Sequence, residues 1–328
     1  MQNKKLKVIV TGGAGFIGSH MVDLLVDNDF DVTVIDNFVG GRESNLSHHS
    51  NIELINKDIR KLKSNDSFFK NTDYVFHFAG IGDIVPSIEN PIEYISVNNF
   101  GTINLLECLR EKEIKKFVYA ASSSCYGLAS TPTSEDHKIN LKYPYALSKY
   151  QGEMSSFHWH DVYKIPVNSI RIFNAYGVRS RTSGAYGAVM GVFLKQKIEN
   201  KPFTVVGDGS QTRDFLYVTD VARAFYEAGM TDYVRKIYNL GAGKPQSINR
   251  LIELLGDGKK VYLPKRNGEP DCTWADISLI KKDLDWEPLV SFEEGVALIL
   301  ENIDYWKDAP LWDEKNIKEA TKEWYRYM

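Results

Sequence analysis

Val8-Ile9-Val10-Thr11-Gly12-Gly13-Ala14-Gly15-Phe16-Ile17-Gly18 joins a short apolar strand to a glycine-rich turn and the start of a helical pattern. Gly12, Gly15 and Gly18 fall three apart, a variant of the dinucleotide-binding fingerprint. There the first glycine permits the tight turn, the second lets backbone approach a pyrophosphate, and the third lets helix and strand pack closely. Backbone N–H groups at the helix start, around Phe16 and Ile17, then receive the anion. A second strand, Val32–Ile35, ends at Asp36 and Asn37, with Asp36 eighteen residues after Gly18. A carboxylate there accepts hydrogen bonds from a ribose 2′-OH and repels a 2′-phosphate, so NAD is expected over NADP. Asp58 and Ile59, after the third strand, are candidates to flank the adenine; a solvated loop acid is the other reading of Asp58.

Outward from this motif, short apolar runs alternate with longer helical patterns. Leu6–Val10, Val32–Ile35, Ile52–Ile55, Tyr74–Phe78, Phe117–Ala121 and Val167–Phe173 read as buried strands. Phe16–Asp27, Ile92–Glu111 and Tyr145–Tyr163 read as crossover helices. The alternation predicts an α/β fold with a doubly wound parallel sheet. After Phe173 the rhythm loosens into turns at Ser183–Gly187 and Gly207–Gly209. A helix at Val218–Gly229 and a strand at Lys236–Leu240 add one more layer. The expected division is a dinucleotide-binding domain at 1–173 plus 215–241 and a smaller mixed α/β lobe at 174–214 plus 242–328. Leu311–Met328, with Trp312, Trp324 and Tyr327, is expected to pack as a terminal helix.

Composition narrows the function. At 328 residues the chain is long enough for about two domains. Forty Lys+Arg against 43 Asp+Glu leave a net charge of −3 and no basic run, so no nucleic-acid partner is expected. No run of ~20 apolar residues exists, so no membrane partner is expected. The N-terminus passes from charge straight into a strand and then glycines, which is not a signal peptide and favours a cytoplasmic location. Cys108, Cys125 and Cys272 are odd in number and far apart, implying neither a disulfide framework nor a Cys-x-x-Cys metal knuckle. His158 and His160, two apart on a helix, point away from one another, so no metal site is expected.

Tyr145 and Lys149, four apart at the start of a predicted helix, share a face. A tyrosine with pKa near ~10 is a poor base at neutral pH. Lowering it to ~7 takes roughly 4 kcal/mol, which a neighbouring ammonium and an oxidised nicotinamide together can supply. Ser122, Ser123 and Ser124 lie at the end of the fifth strand, where parallel sheets place ligands. A hydroxyl there can hydrogen-bond the substrate oxygen that the phenol serves; a loop satisfying its own backbone is the other reading.

Together these motifs resemble the extended short-chain dehydrogenase/reductase family, in its NAD-dependent nucleotide-sugar epimerase/dehydratase branch. The resemblance runs from Val8 to about Leu300 and includes His77-Phe78-Ala79-Gly80, Asn98 in Val97–Thr102, Arg171–Gly177, Gly207–Phe215 and Arg266–Glu269. It implies a Rossmann fold with NAD as cofactor, held also by Phe78, Ala79, Gly80 and Asn98. It makes Ser122 the catalytic hydroxyl, Tyr145 the acid/base, and Lys149 the group that holds the nicotinamide ribose and tunes Tyr145. Ser123 and Ser124 would line the sugar site. Asn174 would contact the substrate's diphosphate or sugar. Arg213 and Arg266 would clamp the diphosphate, and Glu269 would take the nucleoside ribose. Ala188, Val189, Thr204 and Val206 fall near the base-binding segment, with plain packing as the alternative.

Departures from the family pattern select the reaction. Its 4,6-dehydratases follow the catalytic hydroxyl with Asp-Glu, and its decarboxylases carry a Glu where Ser124 stands; Ser123 and Ser124 can do neither chemistry. Cys125 is one place late for the cysteine of the 3,5-epimerase/reductases. Oxidation at C4 survives, so the resemblance implies a 4-epimerase working through a transient 4-keto sugar. Thr273 stands where glucose-restricted members can carry a bulky Tyr, leaving room for a 2-acetamido group. The expected substrates are UDP-Glc/UDP-Gal, UDP-GlcNAc/UDP-GalNAc or both. A uronic-acid 4-epimerase or a net 4-dehydrogenase is the alternative within enzymes, and a catalytically silent NAD-binding regulator the alternative outside them. A homodimer through the helices around Asn98–Glu111 and Tyr145–Tyr163 is implied by family analogy.

Overall fold

Seven strands pair side by side without one reversal. In the computed structural model, which describes residues 5–180 and 189–328, these include β1 (Lys7–Thr11), β2 (Asp31–Asp36), β3 (Glu53–Asn56) and β4 (Tyr74–His77). The others are β5 (Lys116–Ser122), β6 (Val167–Ile172) and the strand Lys236–Leu240. The order is Lys236–Leu240, β6, β5, β4, β1, β2, β3, all parallel. β1 lies between β2 and β4, so the winding reverses there and a crevice opens beyond its carboxyl end. The expected doubly wound sheet is present, with strand bounds within a residue or so of those read from the sequence.

Continuous apolar runs are required because both faces of the sheet are covered. Val8, Val10, Val32 and Val34 pack on one face against Met21 and Leu25 of α1 (Phe16–Asp27) and Val221 and Phe225 of the helix Val218–Met230. Ile9, Ile35 and Val75, pointing the other way, meet Leu105, Leu109, Phe117 and Phe157. A further apolar cluster holds the later residues together, among them Phe193, Phe203, Val205, Leu251, Val296, Trp306 and Trp324. No helix among the described residues is long and apolar enough to cross a membrane.

Two expected helices are divided. Ile92–Glu111 becomes Pro91–Ile95, a π turn at Ser96–Phe100, and Gly101–Leu109. The wider turn disturbs the ladder, and the Thr102 hydroxyl takes the Asn98 carbonyl at 2.7 Å. Leu311–Met328 becomes two short helices, Glu314–Ala320 and Lys322–Tyr327. They part at Thr321, whose hydroxyl turns back to the Ile317 carbonyl. Trp324 is buried there, but Tyr327 stays exposed. The turn at Gly207–Gly209 is present, with Gly207 and Gly209 at φ of 69° and 80°. Ser183–Gly187 lies outside the described residues.

A Cβ at Gly18 would overlap the Gly12 carbonyl oxygen, whereas one at Gly40 meets nothing within 4 Å. Gly18→Ala should therefore lower stability by about 1–3 kcal/mol, and Gly40→Ala should not. Urea midpoints check the pair; equal midpoints would remove steric closeness as the reason for Gly18.

Candidate active site

The glycine turn closes the crevice from below. Gly12 has φ 70°, and a Cβ on it would stand 2.6 Å from the Ala79 nitrogen, so β1 and the loop after β4 touch backbone to backbone. A Cβ at Gly15 would meet only the Gly12 oxygen, which leaves the outer face of the turn bare. Gly15 caps α1, no side chain bonds the cap, and no acid occupies the first turn. A bare, uncapped helix start attracts an anion. At the end of β2, Asp36 is buried; its oxygens accept from Ala14 N at 3.0 Å and Phe38 N at 2.8 Å. Burial raises its pKa against those hydrogen bonds. Asn37 reaches Asp58 at 3.4 Å. Asp58 caps the short turn Ile59–Lys61, and the Arg60 guanidinium holds its carboxyl below the usual range. Ile59 is buried beside it, and Phe78 packs against Phe225 at a tilt, with ring centres 4.5 Å apart. Asn98 fixes the next loop: its oxygen accepts from Ile81 N at 2.8 Å, and its amide donates to Ile81 O and Ser148 Oγ. A bare pyrophosphate turn with a carboxylate at the next strand end fits a dinucleotide.

β5 and the helix Pro144–Tyr163 bring the other group together. Ser122 ends β5 and Tyr145 begins the helix; the two side chains hydrogen-bond, which pulls the phenol's pKa down while burial pushes it further up. Lys149 follows one turn on, buried, with Nζ 4.6 Å above the Tyr119 ring. Burial lowers its pKa to about 8, against the pull of Glu153. Glu153, the next turn again, is buried in an ion pair with Arg171 of β6 at 2.6 Å. Its other oxygen also takes the Ser169 hydroxyl at 2.8 Å. Arg171 continues to the Tyr126 hydroxyl at 2.7 Å, and that hydroxyl donates to Asn239 at 2.7 Å. The Ser124 hydroxyl is buried with no hydrogen-bond partner among the described residues. Burial raises the Cys125 thiol to about 12, which leaves it protonated and unreactive.

Across the crevice two guanidiniums converge on one acid. Arg266 Nη1 is 2.7 Å from Glu269 Oε1, and Arg213 Nη2 is 4.0 Å from Glu269 Oε2. Thr273 donates to Asn174 Oδ1 at 2.6 Å and accepts from Asp214 N at 3.3 Å. Asp214 is fully buried and receives Ala242 N, Gly243 N and Ala275 N, tying three segments behind the clamp. Thr204 is buried with its hydroxyl bonded to Gln196, and Val206 ends the same strand. Val189 begins the helix Val189–Ile198. Ala188 lies outside the described residues.

The structure adds residues that had no assigned role: Glu153, Arg171, Tyr119 and Tyr143. Glu153 was findable, four residues after Lys149 on the same helical face. Tyr143 packs at a tilt against Trp324, ring centres 5.7 Å apart, from a distant part of the chain, and no local pattern announces that.

Comparison with known proteins agrees with this geometry. The family model described as "NAD dependent epimerase/dehydratase family" matches residues 8–241. A protein of Methanocaldococcus jannaschii, provisionally named UDP-glucose 4-epimerase, is 36% identical over 301 residues, 89% of this chain and 97% of its own. The crystal structure of a Bacillus cereus UDP-glucuronic acid 4-epimerase with UDP-glucuronic acid and NAD superposes with a TM-score of 0.86 at 32% identity, covering 91% of this chain and 99% of that one. A UDP-N-acetylglucosamine 4-epimerase of Methanobrevibacter ruminantium, bound to UDP-N-acetylmuramic acid, gives 0.85 and 32%, with 92% and 100% covered.

Lys149 carries a depressed pKa, so its buried ammonium costs stability at every pH below about 8. The cost disappears as pH rises from there toward the ordinary lysine value. Lys149→Met should therefore stabilise the cofactor-free fold at neutral pH, with the gain fading in alkaline buffer. Thermal melts of both proteins across pH check the sign; a variant that is destabilised at pH 7 overturns it.

Proposed function

This chain belongs to the NAD-dependent epimerase/dehydratase family and is an NAD-dependent epimerase of nucleotide sugars, and from that premise we propose that it interconverts C4 epimers of a UDP-sugar. The reading rests on the meeting of Ser122, Tyr145 and Lys149 beside the glycine turn, at the carboxyl edge of the sheet. The proposed division of labour puts the dinucleotide on 1–173 plus 215–241 and the UDP-sugar on 174–214 plus 242–328.

Bound NAD supplies the acceptor, and then the donor, of the hydride exchanged with the sugar. Gly12, Gly15 and Gly18 give its pyrophosphate the open helix start, and Asp36 takes the adenosine ribose. Tyr145 removes the proton of the 4-hydroxyl and later returns it to the 4-keto sugar. Lys149 stabilises the phenolate that must be present before that proton is taken and that returns once it is given back, and its buried position lets that charge act in a poorly screened medium. Ser122 holds the same oxygen by a hydrogen bond. Arg213 and Arg266 hold the diphosphate, for which Arg is suited by its bidentate fork. Glu269, which their guanidiniums approach here, turns to the nucleoside ribose. With the diphosphate fixed, the planar ketone can present either face, so reduction yields either epimer.

The sugar is read from two places. Thr273 leaves space beside C2, which supports N-acetylhexosamines along with UDP-Glc and UDP-Gal. The orphaned Ser124 hydroxyl, with Ser123 next to it, supports the second reading, a UDP-uronic acid whose carboxylate they would bond. A second copy of the chain is the proposed partner; Ile92, Phe100, Met154 and Val162, exposed on the two helical segments expected at the interface, support it. Sedimentation of wild type and Phe100→Asp tests this, with a monomeric wild type as the refuting result.

An NMR assay of UDP-Glc, UDP-GlcNAc and UDP-GlcA should show at least one of them interconverting with its C4 epimer with no build-up of NADH. Tyr145→Phe should lose about two or more orders of magnitude in turnover while still binding UDP. Near-normal turnover in that variant would refute its role. Thr273→Tyr should abolish N-acetylhexosamine turnover selectively, and equal loss on all sugars would count against the gatekeeper.

A further inference from the structure

Away from the crevice, His48 and His49 turn both Nε2 atoms onto a single oxygen, Asp23 Oδ1, at 2.9 and 2.8 Å. Their rings lie side by side, centres 4.0 Å apart, and the three ligand atoms fall within 4.8 Å of one another. His49 is nearly buried and His48 half-exposed, so the cluster has an inner wall and an open mouth. Arg179 holds the other Asp23 oxygen at 2.7 Å, which fixes the carboxylate. Behind it, the buried His20 has Nε2 3.1 Å from the Val178 carbonyl, which can only accept, so Nε2 carries the proton. Its Nδ1 lies 4.0 Å from Asp23 Oδ2.

We propose that Asp23, His48 and His49 bind one divalent transition cation of the zinc, cobalt or nickel class. Two imidazole nitrogens and one carboxylate oxygen are the donor set of such ions, whereas calcium and magnesium demand more oxygens. Bonds of about 2.0–2.1 Å in tetrahedral geometry set ligand atoms roughly 3.3 Å apart. The present contacts must open by about half an ångström, which the half-exposed His48 allows. Water takes the fourth position through the open mouth. On metal binding each histidine moves its proton to Nδ1 and offers the Nε2 lone pair. The site joins parts of the chain that matter for the crevice. Arg42 N and Asn45 Nδ2, on the segment leading to His48, both donate to Ala14 O of the glycine turn. Asp23 lies on α1, and Val178 and Arg179 follow the strand Asn174–Tyr176. A cation would fasten these three segments to one another.

The test uses the full chain, stripped with a chelator and titrated calorimetrically with Zn²⁺ and with Co²⁺. One equivalent should bind, the Co²⁺ complex should show tetrahedral ligand-field bands without thiolate charge transfer, and Zn²⁺ should raise the melting temperature. His48→Gln/His49→Gln keeps donors for Asp23 but offers no nitrogen lone pair. It should melt like wild type without metal, yet bind about tenfold or more weakly and gain no thermal shift. Absence of stoichiometric binding to wild type, or undiminished binding by the double variant, overturns the proposal; the latter would place the cation elsewhere, Cys272 included.

Discussion

Keeping an ammonium buried beside a phenol is the constraint on which the rest of the site depends. Lys149 is taken out of water, and burial alone would drive off its proton. Two features oppose that loss: the face of the Tyr119 ring and the carboxylate of Glu153 one turn away. Glu153 is itself buried, and its charge is tolerable only because Arg171 and the Ser169 hydroxyl take its oxygens. A chain of alternating charge thus runs from the crevice into β6 and on to Tyr126 and Asn239. Its cost in desolvation is the condition for a lysine whose pKa is lowered to about 8 beside a phenol.

The Arg213 and Arg266 pair is built on the opposite principle, convergence of positive charge on one carboxylate, Glu269. Arg213 and Arg266 come from segments about fifty residues apart, and Asp214, beside Arg213, ties the chain there to the backbone N–H groups of Ala242 and Ala275. A fully buried carboxylate with three such partners is satisfied without a cation, so it can act as a rigid tie. Trp324 adds a brace, donating to the Asn267 carbonyl at 3.1 Å and packing at a tilt against Tyr143, two residues before Tyr145.

Much of this was legible in the residues alone. The strand bounds followed from runs such as Val8–Val10, because a strand covered on both faces needs no polar alternation. The glycine turn announced itself because backbone contact leaves a mark on composition at fixed spacing. Tyr145 and Lys149 were visible through helical periodicity, and Asp36 through its position after a strand. The π turn at Ser96–Phe100 was not, since nothing in Ser-Val-Asn-Asn-Phe opposes an ordinary α-helix; the turn answers the demands of Asn98, which must bond Ile81 and Ser148 together. The break at Thr321 was hidden for the same reason, as burial of Trp324 against the Asn267 loop outweighs the helical pattern.

The sequence by itself determined the parallel α/β architecture, the glycine turn and the placing of Tyr145 and Lys149 on one helix near Ser122, because each is written in local spacing that backbone geometry converts directly into shape. Only the tertiary structure decided that Glu153 faces Arg171, that Arg213 and Arg266 meet at Glu269, and that His48, His49 and Asp23 share one point. Glu153 and Arg171, Arg213 and Glu269, and Asp23 and the two histidines are apart along the chain, and which of them become neighbours is settled by how the layers pack.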